Sequence, residues 1–143
     1  MTLVADANIA VHWTLRSSWS NQALLLLRHE KLIAPDLIVA EVASAFRNES
    51  LSAPELLGRM RDGLEFLPRW FAEFVASAEL RHLAFDFAAR LDHSIYDCFY
   101  LALASIRETR MVTTEEKFIR KAEMDSGLCS SIMHLADWKP PSS

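Results

Sequence analysis

Glycine is scarce in this chain, with three among 143 residues. None sits in a run that could cradle a phosphate, so a glycine-rich nucleotide loop is excluded. Cysteine is as scarce. Cys98 and Cys129 show no Cys-x-x-Cys spacing, which argues against a zinc site and a disulfide framework and points to a reducing cytoplasm. Cys98 lies in an apolar helical pattern and reads as a buried small hydrophobe rather than a nucleophile. Positive charge is not in excess either. Fifteen Lys and Arg against nineteen Asp and Glu leave a net charge of −4, which argues against static binding of nucleic acid through a broad basic surface. An enzyme whose acidic centre meets phosphate through a metal remains compatible with that balance. No apolar run approaches the ~20 residues of a membrane span. The opening MTLVADAN lacks the basic region and cleavage site of a signal peptide, so neither export nor membrane anchoring is expected.

What is present is an alternation of short apolar runs with longer helical ones. The length suits one domain, read here as residues 1–138 followed by a tail at 139–143 that includes the unstructured PPSS. Strands are expected at Leu3 to Ala5, Leu32 to Ala34, Trp70 to Val75, Arg110 to Thr113 and Ser131 to Leu135. Between them, helical spacing covers Ile9 to Trp13, Asn21 to His29, a stretch opened by Pro35 and capped by Asp36, and a stretch opened by the capping box Ser52-Ala53-Pro54-Glu55 and closed by Pro68. Further helices run from Ser77 to Leu91, from a Ser94 cap to about Thr109, and from Thr114 to Met124. The class is therefore α/β with a mainly parallel sheet of four to five strands.

Four carboxylates stand where apolar runs give way to helical ones: Asp6, Glu41, Asp97 and Glu115. Ligands of such sheets gather beyond the carboxyl ends of the strands, and all four can face that edge. Together they would form an oxygen-rich pocket suited to a hard divalent cation. Without a cation, converging carboxylates repel and raise one another's pKa.

Each has a bland alternative. Asp6 can cap a helix. Asp97 can complete a capping box with Ser94. Glu41 is harder to dismiss, because a lone carboxylate on the apolar face of Leu37, Ile38, Val42 and Ala45 is costly unless paired. In Thr113-Thr114-Glu115-Glu116, a Thr113 cap would leave Glu116 closing the box and free Glu115, although the two exchange roles if the helix starts one residue later. The five histidines, His12, His29, His82, His93 and His134, show no metal spacing and read as surface or satisfied core residues; His93 and Ser94 beside Asp97 suggest a nucleophilic triad, but three residues crowded at one helix start are not assumed to form one. Arg47, Arg59, Arg61 and Arg69 read as solvated helix faces before an RNA path, and Trp13, Trp19 and Trp70 as core or interface.

The segments VADANIAVHW, APDLIVAEVASAF, SIYDCFYLALA and VTTEEKF, in that order, resemble the PIN domain and in particular the small VapC-like toxins of prokaryotic toxin–antitoxin pairs. The resemblance implies an α/β/α sandwich and a cytoplasmic endoribonuclease dependent on Mg²⁺ or Mn²⁺. It places metal ligands at Asp6 and Asp97, with Glu41 and Glu115 completing the quartet. Asn8, Ser94 and Thr113 match supporting polar positions. An RNA substrate, a small antitoxin and a homodimer are the implied partners. The family usually has aspartate where Glu115 stands, which implies weaker occupancy of a second metal position. The alternative is a PIN-like binding module that has lost turnover and acts through antitoxin or RNA contacts. A phosphotransferase with Asp6 as nucleophile fits poorly, because Asn8 stands where that chemistry wants a second aspartate.

Overall fold

The computed structural model describes residues 1–141. Residues 142–143 of the expected tail lie outside the described residues, and Lys139 to Pro141 are exposed and without regular structure.

Five strands form one sheet: β1 (Thr2–Ala5), β2 (Lys31–Pro35), β3 (Glu73–Val75), β4 (Met111–Thr113) and β5 (Ile132–His134). Their order is β3-β2-β1-β4-β5 and every pairing is parallel. Strands this buried read as continuous apolar runs, and Leu3, Val4, Ala5, Leu32, Ile33, Met111 and Val112 are each at most 1% exposed. The chain winds from β1 outward to β3, then returns to the other side of β1 for β4. This order reverses between β1 and β4, the position where open α/β sheets open a crevice.

Among the described residues seven α-helices surround the sheet: α1 (Ala7–Thr14), α2 (Ser20–His29), α3 (Ile38–Ser50), α4 (Leu57–Trp70), α5 (Ser77–Leu91), α6 (Ile95–Ile106) and α7 (Glu116–Glu123). α6 packs on β1, β2 and β4 and is backed by α5, whereas α1 packs against α2, α3 and α4. Gly63 permits the approach of α4 to α1, since a Cβ there would lie 2.6 Å from Thr14 Oγ1. α6 brings the chain back to the start of β4, so its first turn stands at the sheet's carboxyl edge, opposite the ends of β1 and β4.

Several helix ends differ from the sequence expectation because distant partners take the capping groups. Asp36 caps nothing locally. Its Oδ1 accepts from Ser77 N–H at 3.0 Å and from Ser77 Oγ at 2.6 Å, tying the end of β2 to the start of α5 across 41 residues. α3 begins after Leu37 with no side-chain cap. Ser52 donates to the Glu49 carbonyl, so the expected capping box does not form. A 3-10 turn, Pro54–Leu56, leads into α4 instead. Pro68 does not close α4, which continues to Trp70. In the last turn its missing N–H costs only one backbone bond. Trp70 consequently belongs to a helix, and β3 is shorter than expected. α6 stops at Ile106, ahead of Thr109, whose hydroxyl donates to the Thr2 carbonyl.

Candidate metal centre

Asp6 follows β1 directly and is 3% exposed. Its Oδ1 accepts from the Ile9 N–H at 3.1 Å, so it does cap α1. Capping uses one face of the carboxylate, and the bland role coexists with a position at the sheet's switch point. Burial is the main force raising its pKa, to about 7. The Thr113 hydroxyl and the Ile9 N–H act downward, while Glu115 and Glu41 push it further up.

Glu41 lies one turn into α3, half-buried as its apolar neighbours Ile38 and Val42 require. Tyr100 Oη donates to its Oε1 at 2.7 Å. Tyr100 is 1% exposed, so each polar group answers the burial of the other. Glu41 is therefore paired within the protein, a partner the sequence reading lacked. Burial raises its pKa, the Tyr100 hydrogen bond lowers it and Glu115 raises it.

Asp97 sits in the first turn of α6 but does not cap it. Its Oδ2 instead meets His93 Nε2 at 2.7 Å. The expected Ser94-to-Asp97 capping box is absent, and Ser94 is exposed, with no side-chain bond to the helix end. Burial raises the Asp97 pKa, the neighbouring Glu115 carboxyl lowers it, and Asp6 and Glu41 raise it.

α7 begins at Glu116, later than the sequence suggests, so Glu116 occupies the first helical position and is exposed. Thr113 is not the helix cap. Fully buried, its Oγ1 accepts from the Glu115 N–H at 3.1 Å and fixes the backbone from which the Glu115 side chain leaves. Glu115 joins His93 and Asp97 in a group whose ligand atoms all lie within 4.8 Å of one another. Its pKa rises to about 7, chiefly through burial and then through the adjoining Asp97, with His93 acting the other way. Asn8 is exposed in the first turn of α1.

The fold thus brings Asp97 and Glu115 together with His93, and leaves Asp6 and Glu41 near enough to feel and exert charge on them. No lysine or arginine figures among the main influences on any of them. Such a set, rich in oxygen donors and short of internal counter-charge, fits a divalent cation. Cys98, on the same helix as Asp97, takes no part: burial pushes its thiol up to about 12.

Two residues escaped the sequence reading. His93 has no metal role in the sequence analysis, where it meets Asp97 only in a triad that is not assumed, yet it bonds Asp97. Its signal was the four-residue spacing between them, which puts both on one helical face. Tyr100, three residues beyond Asp97, had no signal, because Glu41 lies 59 residues away.

Two concavities lie away from these side chains. One of about 360 Å³ runs between α1, α2 and α4, lined by Trp13, Leu24, Phe66 and Trp70 among others. Another of about 1420 Å³ lies under the opposite edge of the sheet, beside Thr2, Glu30 and Arg110.

The profile of the PIN domain family matches residues 3–124. A search of curated proteins finds no match. Among solved structures four chains match. One, in the crystal structure of VapBC2 from Rickettsia felis bound to a DNA fragment from their promoter, aligns with a TM-score of 0.64 at 15% identity, covering 94% of this chain and 98% of that one. That similarity is one of fold.

Proposed function

This chain belongs to the PIN domain family, whose members are generally nucleases, and from that premise we propose that it is a divalent-cation-dependent endoribonuclease, the toxin of a toxin–antitoxin pair. The observation that carries the reading is the gathering of Asp6, Glu41, Asp97 and Glu115 within reach of one another's charge, with no lysine or arginine among the main influences on them. Those four hold Mg²⁺ or Mn²⁺ in this reading, with Thr113, Asn8 and Ser94 in support. Bound there, the cation would supply Lewis-acid stabilisation of the phosphodiester and a water of lowered pKa.

The chain's own residues do the rest. Asp6, fixed by the Ile9 N–H, and Glu41, fixed by Tyr100, present carboxylates whose rotamers are already chosen. Thr113 sets the departure of Glu115, and His93 orients Asp97. In this reading Glu41 or Glu115 orients the attacking water and takes its proton. Arg47, Arg59, Arg61 and Arg69 lie exposed on α3 and α4, where they can meet the RNA backbone without burying charge.

The toxin assignment draws on the fold shared with a chain of the VapBC2 complex. A small antitoxin and a homodimer follow as partners. Among the described residues no helix is long and apolar enough to cross a membrane. Light scattering at micromolar concentration should report a dimer, and a monomer there would count against that partner. Incubation of purified protein with structured RNA and Mg²⁺ should give cleavage that EDTA stops and Asp97→Asn removes. Cleavage persisting in that variant would assign the activity to another protein.

One observation favours a second reading. Asp6 and Glu41 already have protein partners, and Glu115 replaces the usual aspartate, so the chain could act as a binding module that no longer turns over RNA. Such a module would bind neither Mg²⁺ nor Mn²⁺ in a calorimetric titration.

A further inference from the structure

The carboxylate quartet leaves His93 without a part in binding, although its imidazole stands beside Asp97 and Glu115. We propose that His93 Nε2 is itself a metal ligand and that, with Asp97 and Glu115, it makes one cation position of the site a mixed nitrogen and oxygen one that favours Mn²⁺ over Mg²⁺. The inference rests on the metal-dependent reading above and adds a selectivity to it.

Three features of the structure carry it. Nε2 lies 2.7 Å from Asp97 Oδ2, and one donor atom from each of His93, Asp97 and Glu115 falls within 4.8 Å of the others, a span one coordination sphere can enclose. The ring is held by more than its hydrogen bond to Asp97. It stacks on Phe118 of α7, centroids 4.3 Å apart and planes 17° from parallel. Asp92, left-handed at φ 50°, ends α5 and turns the chain so that the His93 N–H reaches back to the Ala88 carbonyl. Ring and backbone together aim Nε2 at the acids even if the Asp97 bond is exchanged for another partner.

The chemistry completes the case. A ring nitrogen and a carboxylate oxygen at that separation need either a proton or a cation between them, since two lone pairs would repel. A cation in that place satisfies both groups, and the ring proton moves to Nδ1. Imidazole nitrogen suits first-row transition metals, whereas Mg²⁺ keeps to oxygen ligands and its own waters. Glu115 adds the reach of an extra methylene where the family usually has aspartate, which accommodates a position shared with a ring.

The test uses the full chain stripped with EDTA and titrated by calorimetry with MnCl₂ and with MgCl₂, in the wild type and in His93→Gln. The wild type should bind Mn²⁺ more tightly than Mg²⁺ by about tenfold or more. The variant should lose about tenfold in Mn²⁺ affinity while its Mg²⁺ affinity stays within about twofold. Equal losses for both cations, or no loss, would overturn the assignment and make His93 only a holder of Asp97. A second measurement needs no variant. In ¹⁵N-imidazole spectra of the wild type, Zn²⁺ as a diamagnetic probe should shift the His93 Nε2 resonance as a bound nitrogen shifts. An unshifted His93 in a protein that does bind the ion overturns this inference alone. A wild type that binds none of the three cations overturns the ribonuclease reading and this inference with it.

Discussion

The two halves of the acidic edge are built on different terms. Asp6 and Glu41 form an inner pair, each already engaged by a donor of the protein itself, the Ile9 N–H and the Tyr100 hydroxyl. Asp97 and Glu115 form an outer pair that meets only one another and His93. The inner carboxylates are placed whether or not a cation is present. The outer ones depend on a shared proton or a cation for their arrangement. A site divided in this way keeps its shape in the metal-free protein while leaving part of its binding energy to the ion, because a half-satisfied cluster of like charges is costly.

The largest effect should come from breaking the outer half. Asp97→Asn should reduce RNA cleavage by at least about a hundredfold, more than the loss of an outer-shell partner brings, with little change in fold by circular dichroism. Breaking the inner half should separate activity from stability. Asn at position 6 can still accept from the Ile9 N–H, but it carries no charge to bury. Asp6→Asn should therefore lower cleavage, by less than Asp97→Asn does, and raise the melting temperature of the metal-free protein at pH 8, with no gain at pH 4. A lower melting temperature at pH 8 would show that Asp6 already has a counter-charge within the protein.

The pH dependence follows with its sign. Asp6 and Glu115 titrate near 7 in the fold, against about 4 unfolded, so between those values the native state holds protons that the unfolded chain has shed. Metal-free stability is fully present below about pH 4 as far as these groups are concerned. It falls as pH rises through 7, by on the order of a few kcal/mol for the buried Asp6. Saturating Mg²⁺ or Mn²⁺ at pH 8 should restore it. Urea titrations at pH 5 and pH 8, with and without the ion, measure both, and a metal-free protein more stable at pH 8 would reverse the account.

How much of this was legible beforehand differs between the same two halves. The strands announced themselves as apolar runs alternating with helical ones, so the parallel α/β architecture could be read directly, with Asp6 and Glu115 just after strands and Glu41 and Asp97 early in helices. The Glu41 burden was legible too, as a charge on an apolar helical face. Its relief was not, since Tyr100 is 59 residues away. Local capping patterns misled wherever a distant group outcompeted the local one: Asp36 went to Ser77, Asp97 to His93, and Thr113 to the Glu115 backbone rather than to a helix start at Thr114. Each exchange moved a polar side chain from a local role to one that joins two elements, which residue spacing alone does not record.

Smaller effects sharpen the contrast. Tyr100→Phe removes the donor from Glu41 and should cost about 1 kcal/mol of stability and about tenfold in rate, measured by urea unfolding and RNA cleavage. Glu115→Asp restores the shorter side chain usual in the family and should raise cleavage and affinity for a second cation severalfold. Unchanged values would mean that the extra methylene is absorbed without consequence.

The account stands on the claim that these carboxylates hold a divalent cation at the carboxyl edge of the sheet. Anomalous diffraction from crystals of the protein grown with Mn²⁺ tests it most directly. The predicted result is a manganese peak among Asp6, Asp97 and Glu115, lost in crystals of Asp97→Asn. Full Mn²⁺ occupancy elsewhere on the molecule, with no peak among these side chains, would contradict it.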